Sequence, residues 1–197
     1  VDFGCGGGID VILAAQKVGS QGKVIGIDFA EQMIEQAKQA VYKAGLHDRN
    51  IELYVADMEN SQIPERLADV VISNCVINLS PDKEAVYKEA FRILKRGGRL
   101  AISDIVLTED IVPNLREHFQ STWAGCLGGA VTEQDYFQTV SKVGFSAVQI
   151  VAQHTLTAEE LEAMATCPGG EFTPAPAKED LAVVQGKVKS IKFTAFK

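Results

Sequence analysis

The sequence predicts an α/β fold built on a doubly wound, mostly parallel sheet. Three observations predict it. Short apolar runs alternate with amphipathic helical stretches in the order β-α-β-α-β-β-α-β. The runs are apolar almost throughout, as in strands covered on both faces. A glycine-rich turn, Gly4-Cys5-Gly6-Gly7-Gly8, separates the first run from the first helix. Right-handed crossovers then restrict the topology closely.

Taken in order, the strands are Val24 to Ile27, Ile51 to Val55, Asp69 to Ile72 and Leu100 to Ser103. A helix from Ile9 to Val18 places Val11, Ile12, Ala15 and Val18 on one side. The next places Met33, Ile34, Ala37, Val41 and Ala44 inward and stops at Gly45. Ser80-Pro81-Asp82 reads as a helix start, with Ser80 as N-cap, Pro81 at the first helical position and an acid in the first turn. That helix turns Val86, Ala90, Phe91 and Leu94 inward and is expected to end near Gly97-Gly98. Beyond Ile105 the pattern predicts helices over 114–123 and 132–143 and a strand over 147–152. A further helix over 157–165 has Thr157 and Glu160 as a capping box. A Pro/Gly loop over 168–176 and a strand over 191–196 complete the chain.

The 197 residues carry a net charge of −7 and include 46% hydrophobic residues and only six prolines, which suits one ordered domain over 1–197. The stretch 154–190 reads as an insertion before the last strand. Val1-Asp2-Phe3 enters the glycine turn with no lead-in, so an upstream part of the domain is expected. The acidic balance, with Lys95-Arg96 an isolated basic pair, predicts neither nucleic acid nor membrane as partner. No run is long and apolar enough to span a bilayer and no signal segment opens the chain, so a cytoplasmic location is expected. Cys5, Cys75, Cys126 and Cys167 are too scattered for a disulfide framework and contain no CxxC pair.

The glycine turn reads D-x-G-x-G-x-G from Asp2, with Gly4 and Gly6 where a backbone must pass close to a ligand. Asp28 ends the second strand, followed by Phe29, at a place where an acid can hold both ribose hydroxyls. Asp57-Met58 follows the third strand and suits an adenine edge. Asn74 ends the fourth beside the same crevice. The spacing differs from the G-x-G-x-x-G of dinucleotide folds. It resembles the S-adenosylmethionine (SAM) loop of class I methyltransferases, as does the turn from Arg92 to Leu100. The resemblance implies a Rossmann-like, doubly wound, seven-stranded sheet with a C-terminal antiparallel strand, to which 191–196 would contribute. It also implies SAM as cofactor.

The acceptor must be argued from other residues. Cys75 lies just beyond Asn74, at the mouth of the crevice, and Cys126 lies in a loop on the acceptor side; either could equally be a small packed residue. Four stretches are similar to the arsenite methyltransferases: SNCVINLSPDK, GRLAISDIV, the loop from Cys126 to Ala130, and the tail CPGGEFTPAP with VKSIKFTAFK. That resemblance implies Cys75 and Cys126 as ligands of trivalent arsenic, with arsenite or its thiol adducts as substrate and a thiol reductant. A further family cysteine would lie upstream of this chain. Thiolates suit a soft centre, the arsenic lone pair can attack the sulfonium methyl in line, and no general base is needed. The protein's task is then positioning.

Cys5 reads as packing, and Cys167 is left without a role in transfer. Asp104 could orient a substrate or cap the next segment. His47 and His154 read as surface or loop residues, His118 has no visible partner, Trp123 reads as core or lid, and Glu171 and the acids of 157–162 as solvated. Two alternatives stay open. One is a C-, O- or N-methyltransferase of a small metabolite with Asp104 or His118 as base; the other is a non-catalytic thiol protein that binds a metalloid.

Overall fold

A computed structural model of the chain describes residues 1–113, 115–117, 125–165 and 178–197. The expected loop over 168–176 and the residues His118, Trp123, Cys167 and Glu171 lie outside these, as does the helix over 114–123 except at 115–117. Seven strands form one sheet in the order β3-β2-β1-β4-β5-β7-β6. They are β1 (Asp2–Phe3), β2 (Val24–Asp28), β3 (Ile51–Val55), β4 (Ala68–Asn74), β5 (Leu94–Leu107), β6 (Ser146–Thr155) and β7 (Val188–Phe196). Strands β1 to β5 pair in parallel, and β7 runs antiparallel to both β5 and β6. The mostly parallel sheet with a terminal antiparallel strand is the architecture expected.

The helices are α1 (Ile9–Val18), α2 (Glu31–Lys43), α3 (Lys83–Ile93), α4 (Gly125–Gly128), α5 (Glu133–Val143), α6 (Ala158–Ala165) and α7 (Lys178–Val184). One core cluster joins Val11 and Ala15 of α1 to Ile34 and Val41 of α2 and Val24 of β2. A larger one joins Phe3, Ile27, Val71 and Ile102 to Val86, Tyr87 and Ala90 of α3 and Tyr136 and Val140 of α5. The third gathers Ile105, Leu107, Leu127, Leu161, Leu181 and Val184, so α4, α6 and α7 pack around the far end of β5. The stretch 154–190 carries two helices among its described residues. Its capping box forms: Thr157 Oγ1 accepts from Glu160 N at 3.2 Å, and Glu160 accepts from Thr157 N at 2.8 Å. His154, exposed as expected, pairs with the same Glu160 carboxylate.

Several local expectations are displaced. Helix α3 is capped by Asp82 rather than Ser80: Asp82 Oδ1 accepts from Ala85 N at 2.9 Å. The Ser80 hydroxyl is engaged elsewhere, donating to Glu59 at 2.6 Å and accepting from Asp82 N at 3.0 Å, so Pro81 precedes the helix. The same helix ends at Ile93, not near Gly97, because Leu94 pairs with Ala68 and enters β5. Val18 and Ala44 are exposed at the ends of α1 and α2 instead of facing the core. Helical period alone does not show where a helix runs past the sheet beneath it.

The order 3-2-1-4 places β1 between strands whose connections leave in opposite directions along the sheet. In an open parallel sheet the crevice at that reversal, outside the carboxyl ends of the strands, receives the ligand.

Candidate active site

The glycine turn is anchored before any ligand is considered. Cys5 N donates to Ile27 O at 2.8 Å, and Gly8 N to Cys5 O at 2.9 Å. Gly4, Gly6 and Gly8 all have positive φ, at 67°, 48° and 88°. Gly4 faces the opposite wall: a Cβ there would lie 2.4 Å from Val76 Cγ2. Gly4→Ala combines a left-handed backbone cost of ~1–2 kcal/mol with overpacking of ~1–3 kcal/mol. It should destabilise the fold by about 2–5 kcal/mol in denaturant unfolding, and Val76→Ala should recover only the steric part. Gly6 is different. Its Cβ would have no atom within 4 Å, so the loop leaves open space on the side facing the crevice.

Asp28, nearly buried at the end of β2, is the hub of this turn. Its Oδ2 accepts from Gly6 N at 3.0 Å and its Oδ1 from Ala30 N at 3.0 Å. A cavity of about 520 Å³ opens beside it, lined by Gly4, Gly6, Asp28, Phe29, Met33, Asp57, Met58, Glu59 and Val76 and by the segment from Leu79 to Pro81. That is a small-molecule volume. Six of the eight residues expected to bind the cofactor stand in its wall. Phe29 is 77% exposed, which leaves its ring available to cover a planar ligand. Asp57 accepts from Glu59 N through Oδ1 at 2.9 Å.

The other two expected residues, Asp2 and Asn74, are not in that wall. Asn74 is exposed at the end of β4 and donates to Asp10, in the first turn of α1, at 3.3 Å. Asp2 is buried beneath the turn, and its Oδ2 has no hydrogen-bond partner among the described residues. Burial, then the nearby Asp10 carboxylate, raises its carboxyl to about 7.

These residues fit SAM. The cavity is mainly apolar, the first turn of α1 has no side-chain cap, and the carboxylates of Asp2, Asp10 and Asp28 cluster under the loop where a cationic ligand would offset their repulsion. A pH dependence follows. A folded-state carboxyl raised from 3.8 to about 7 contributes stability at low pH that is lost as pH rises through 7. The unliganded protein should therefore gain about 1 kcal/mol between pH 8 and pH 6 from Asp2, measurable by denaturant unfolding. Cation binding pulls the same carboxyl down. SAM binding should release a proton near pH 7 and weaken below it, which calorimetry in buffers of different ionisation enthalpy will read.

The two cysteines, 51 positions apart in sequence, come together at the end of β4. Cys75 has φ 59°, a left-handed conformation unusual for a non-glycine residue, and its N–H donates to Ser103 O at 2.8 Å. Cys126, in α4, donates its thiol to Cys75 O at 2.9 Å. Desolvation and the charge of Asp104 raise both thiols, that of Cys126 to about 12. Cys75 is exposed on one side, but the surrounding protein still desolvates its sulfur. Cys5 is buried in the α1–α2 core, as a packing residue would be. Among the described residues no group of three or more His, Cys, Asp or Glu could hold a metal ion. Two neutral thiols are what the site offers.

Asp104, 1% exposed, performs neither role expected of it. It accepts from Asn78 Nδ2 at 2.9 Å, Ile105 N at 2.8 Å and Tyr136 OH at 2.9 Å, and burial raises its carboxyl to about 6. So enclosed, it cannot reach a substrate proton as a base. It does tie down the turn after Cys75, since Asn78 Nδ2 also donates to Ile105 O at 2.7 Å. Sequence reasoning missed Asn78 in this role, together with Met33, Glu59 and Val76 in the cavity wall. Only the helical pattern pointed to Met33, and then as a core residue.

No described helix is long and apolar enough to cross a membrane. The chain is 38% identical over 157 residues to the arsenite methyltransferase of Halobacterium salinarum, covering 80% of this chain and 39% of that protein. It is 34% identical over 169 residues to that of Homo sapiens, covering 82% and 45%. The chain thus spans under half the length of these curated relatives. The solved arsenic(III) S-adenosylmethionine methyltransferase of Chlamydomonas reinhardtii superposes with a TM-score of 0.80 at 29% identity, covering 100% of this chain and 62% of that one. A family model described as a methyltransferase domain matches residues 1–145, and with the sheet order and the glycine-turn crevice this shows that the chain belongs to the methyltransferase domain family.

Proposed function

We propose that this chain carries the SAM site and two metalloid-binding thiols of an arsenite methyltransferase, with Cys75 and Cys126 holding trivalent arsenic. The observation that carries the reading is the thiol of Cys126 at 2.9 Å from the carbonyl of Cys75, which directly precedes Val76 in the wall of the cofactor cavity. The relatives named arsenite methyltransferases support it. In the cofactor cavity, Asp28 takes the ribose hydroxyls, Asp57 and Met58 the adenine, Phe29 covers the base, and Gly4 and Gly6 admit the chain, while Asp2 and Asn74, outside its wall, act on the charged end of the ligand from beneath and beside the glycine turn.

The raised thiols suit this substrate. Each exchange replaces As–OH by As–S, and the thiol proton leaves with the hydroxyl as water. No net charge is created. No base is required, and neutral thiols are the correct reactants. Bound SAM supplies a sulfonium methyl, which the arsenic lone pair takes with loss of S-adenosylhomocysteine. The chain's residues hold arsenic beside the cofactor cavity, and the Asp104 carboxylate favours the positive charge that arsenic gains. A thiol reductant in solution restores trivalent arsenic.

The test is arsenite-dependent formation of S-adenosylhomocysteine with a thiol present, in the full-length protein. SAM binding without arsenite-dependent turnover, or turnover only of a carbon, oxygen or nitrogen acceptor, would overturn the arsenic assignment.

A further inference from the structure

The two cysteines are held by different means. Cys75 leaves β4 and is caught at once by β5: its N–H donates to Ser103 O at 2.8 Å, and Asn78, three positions on, donates to Asp104 at 2.9 Å and to Ile105 O at 2.7 Å. Cys126 has no such strand behind it. It sits in α4, a single turn of four residues, within the run Gly125-Cys126-Leu127-Gly128-Gly129-Ala130. Three glycines in six residues give that run a large backbone entropy to lose, and one isolated turn does not offset it with its own hydrogen bonds. The restraint has to come from outside.

Part of it is apolar. Leu127 and Ala130 are buried in the cluster that holds Ile105, Leu107 and Leu115. Apolar burial is non-directional, so it seats the run without fixing how the turn is rotated. Direction comes from Arg116, the neighbour of Leu115 and ten positions upstream of Cys126. Its Nη1 donates to Gly128 O at 3.0 Å and to Ala130 O at 2.7 Å, and its Nη2 to Asp110 at 3.2 Å. The two carbonyls lie at the last residue of α4 and just beyond it, where a helix leaves its acceptors unmet. A planar guanidinium suits several acceptors at once. The exposed Asp110 occupies the second nitrogen and leaves the first for α4; the Arg116 side chain is only 25% exposed. Two residues before Gly128, the Cys126 thiol meets the Cys75 carbonyl.

We propose that Arg116 is a positioning residue of the metalloid site, whose guanidinium clamps the end of α4 and so keeps the Cys126 thiol beside Cys75. The assignment rests on the arsenic reading above and is independent of how many further ligands the metalloid takes. Without the clamp both thiols remain in the chain but no longer reach one arsenic atom together.

The probe is phenylarsine oxide. Its hydrated form carries two hydroxyls that exchange for two thiols with release of two waters, and the phenyl group fills the third position. Arsenic retained by the full-length protein is measured by equilibrium dialysis for wild type, Arg116→Gln, Arg116→Lys, Cys126→Ser and the Arg116→Gln/Cys126→Ser double variant. Arg116→Gln should bind the probe at least about tenfold more weakly than wild type, with SAM affinity within about twofold. Arg116→Lys keeps the charge but not the fork, and should stay closer to Arg116→Gln than to wild type. In the Cys126→Ser background Arg116→Gln should add less than about twofold, because a residue that acts through Cys126 has nothing left to position. Iodoacetamide should alkylate Cys126 several-fold faster in Arg116→Gln, while Cys5, buried in the α1–α2 core, keeps its wild-type rate.

Probe binding by Arg116→Gln equal to wild type would overturn the clamp and leave the arsenic reading standing. So would full recovery by Arg116→Lys, an equal loss in the Cys126→Ser background, or a matching acceleration at Cys5. Wild type that binds the probe no better than Cys126→Ser, in protein that still binds SAM, would overturn the arsenic reading and the clamp with it.

Discussion

Cys126→Ser is expected to lower kcat/KM for arsenite by at least about 100-fold, or ~2.7 kcal/mol of transition-state stabilisation, and Cys75→Ser by a similar factor. The substitution is chosen for what it keeps. A serine hydroxyl can still donate to the Cys75 carbonyl that Cys126 meets at 2.9 Å, so the contact between α4 and the end of β4 survives. What is lost is sulfur. On the proposed reading a soft centre loses one of its thiol ligands, and oxygen is a poor replacement. If both cysteines hold one atom, as proposed, the double variant should be little worse than either single one. The readout is S-adenosylhomocysteine formation, with SAM affinity within about twofold of wild type in the same preparations. Turnover that survives both substitutions would remove the thiols from the reaction.

Asp28→Ala should have the largest effect on the cofactor side. It removes two charge-assisted bonds, to Gly6 N and Ala30 N, each worth roughly 1.5–3 kcal/mol, and leaves the glycine turn unanchored. A stability loss of about 3–6 kcal/mol should accompany SAM binding weakened ~100-fold or more, read by denaturant unfolding and calorimetry. Asp28→Asn separates the two roles of the carboxylate. Its amide keeps one acceptor oxygen, so it can satisfy only one of the two backbone donors and should fall between wild type and alanine in both measurements. SAM affinity unchanged in Asp28→Ala would remove Asp28 from the cofactor site.

Much of the cavity wall was legible because it depends on position along strands. Asp28 and Asp57 lie at or just after strand ends that apolar runs and turn residues mark, and a parallel sheet brings those ends to one crevice. Even there, side-chain competition escaped the reading. Ser80 looked like a helix cap, but Glu59, 21 positions upstream, takes its hydroxyl and leaves the capping to Asp82. Asp104 looked like a capping or substrate-orienting acid, but its burial and its three donors come from β5, α5 and the turn after Cys75.

The sequence by itself determined the alternation of elements, the glycine turn and the acids that follow β2 and β3, because each is set by residues within one turn or strand of it. Only the tertiary structure decided that Cys126 reaches the Cys75 carbonyl, that Asp104 is sealed beneath the pair, and that Arg116 grips the carbonyls at the end of α4. Those placements depend on how α4 and the end of β5 pack, through Leu127, Ile105 and Leu107. Contacts between residues far apart in sequence arise from burying apolar surface, and that burial leaves no local periodicity to read.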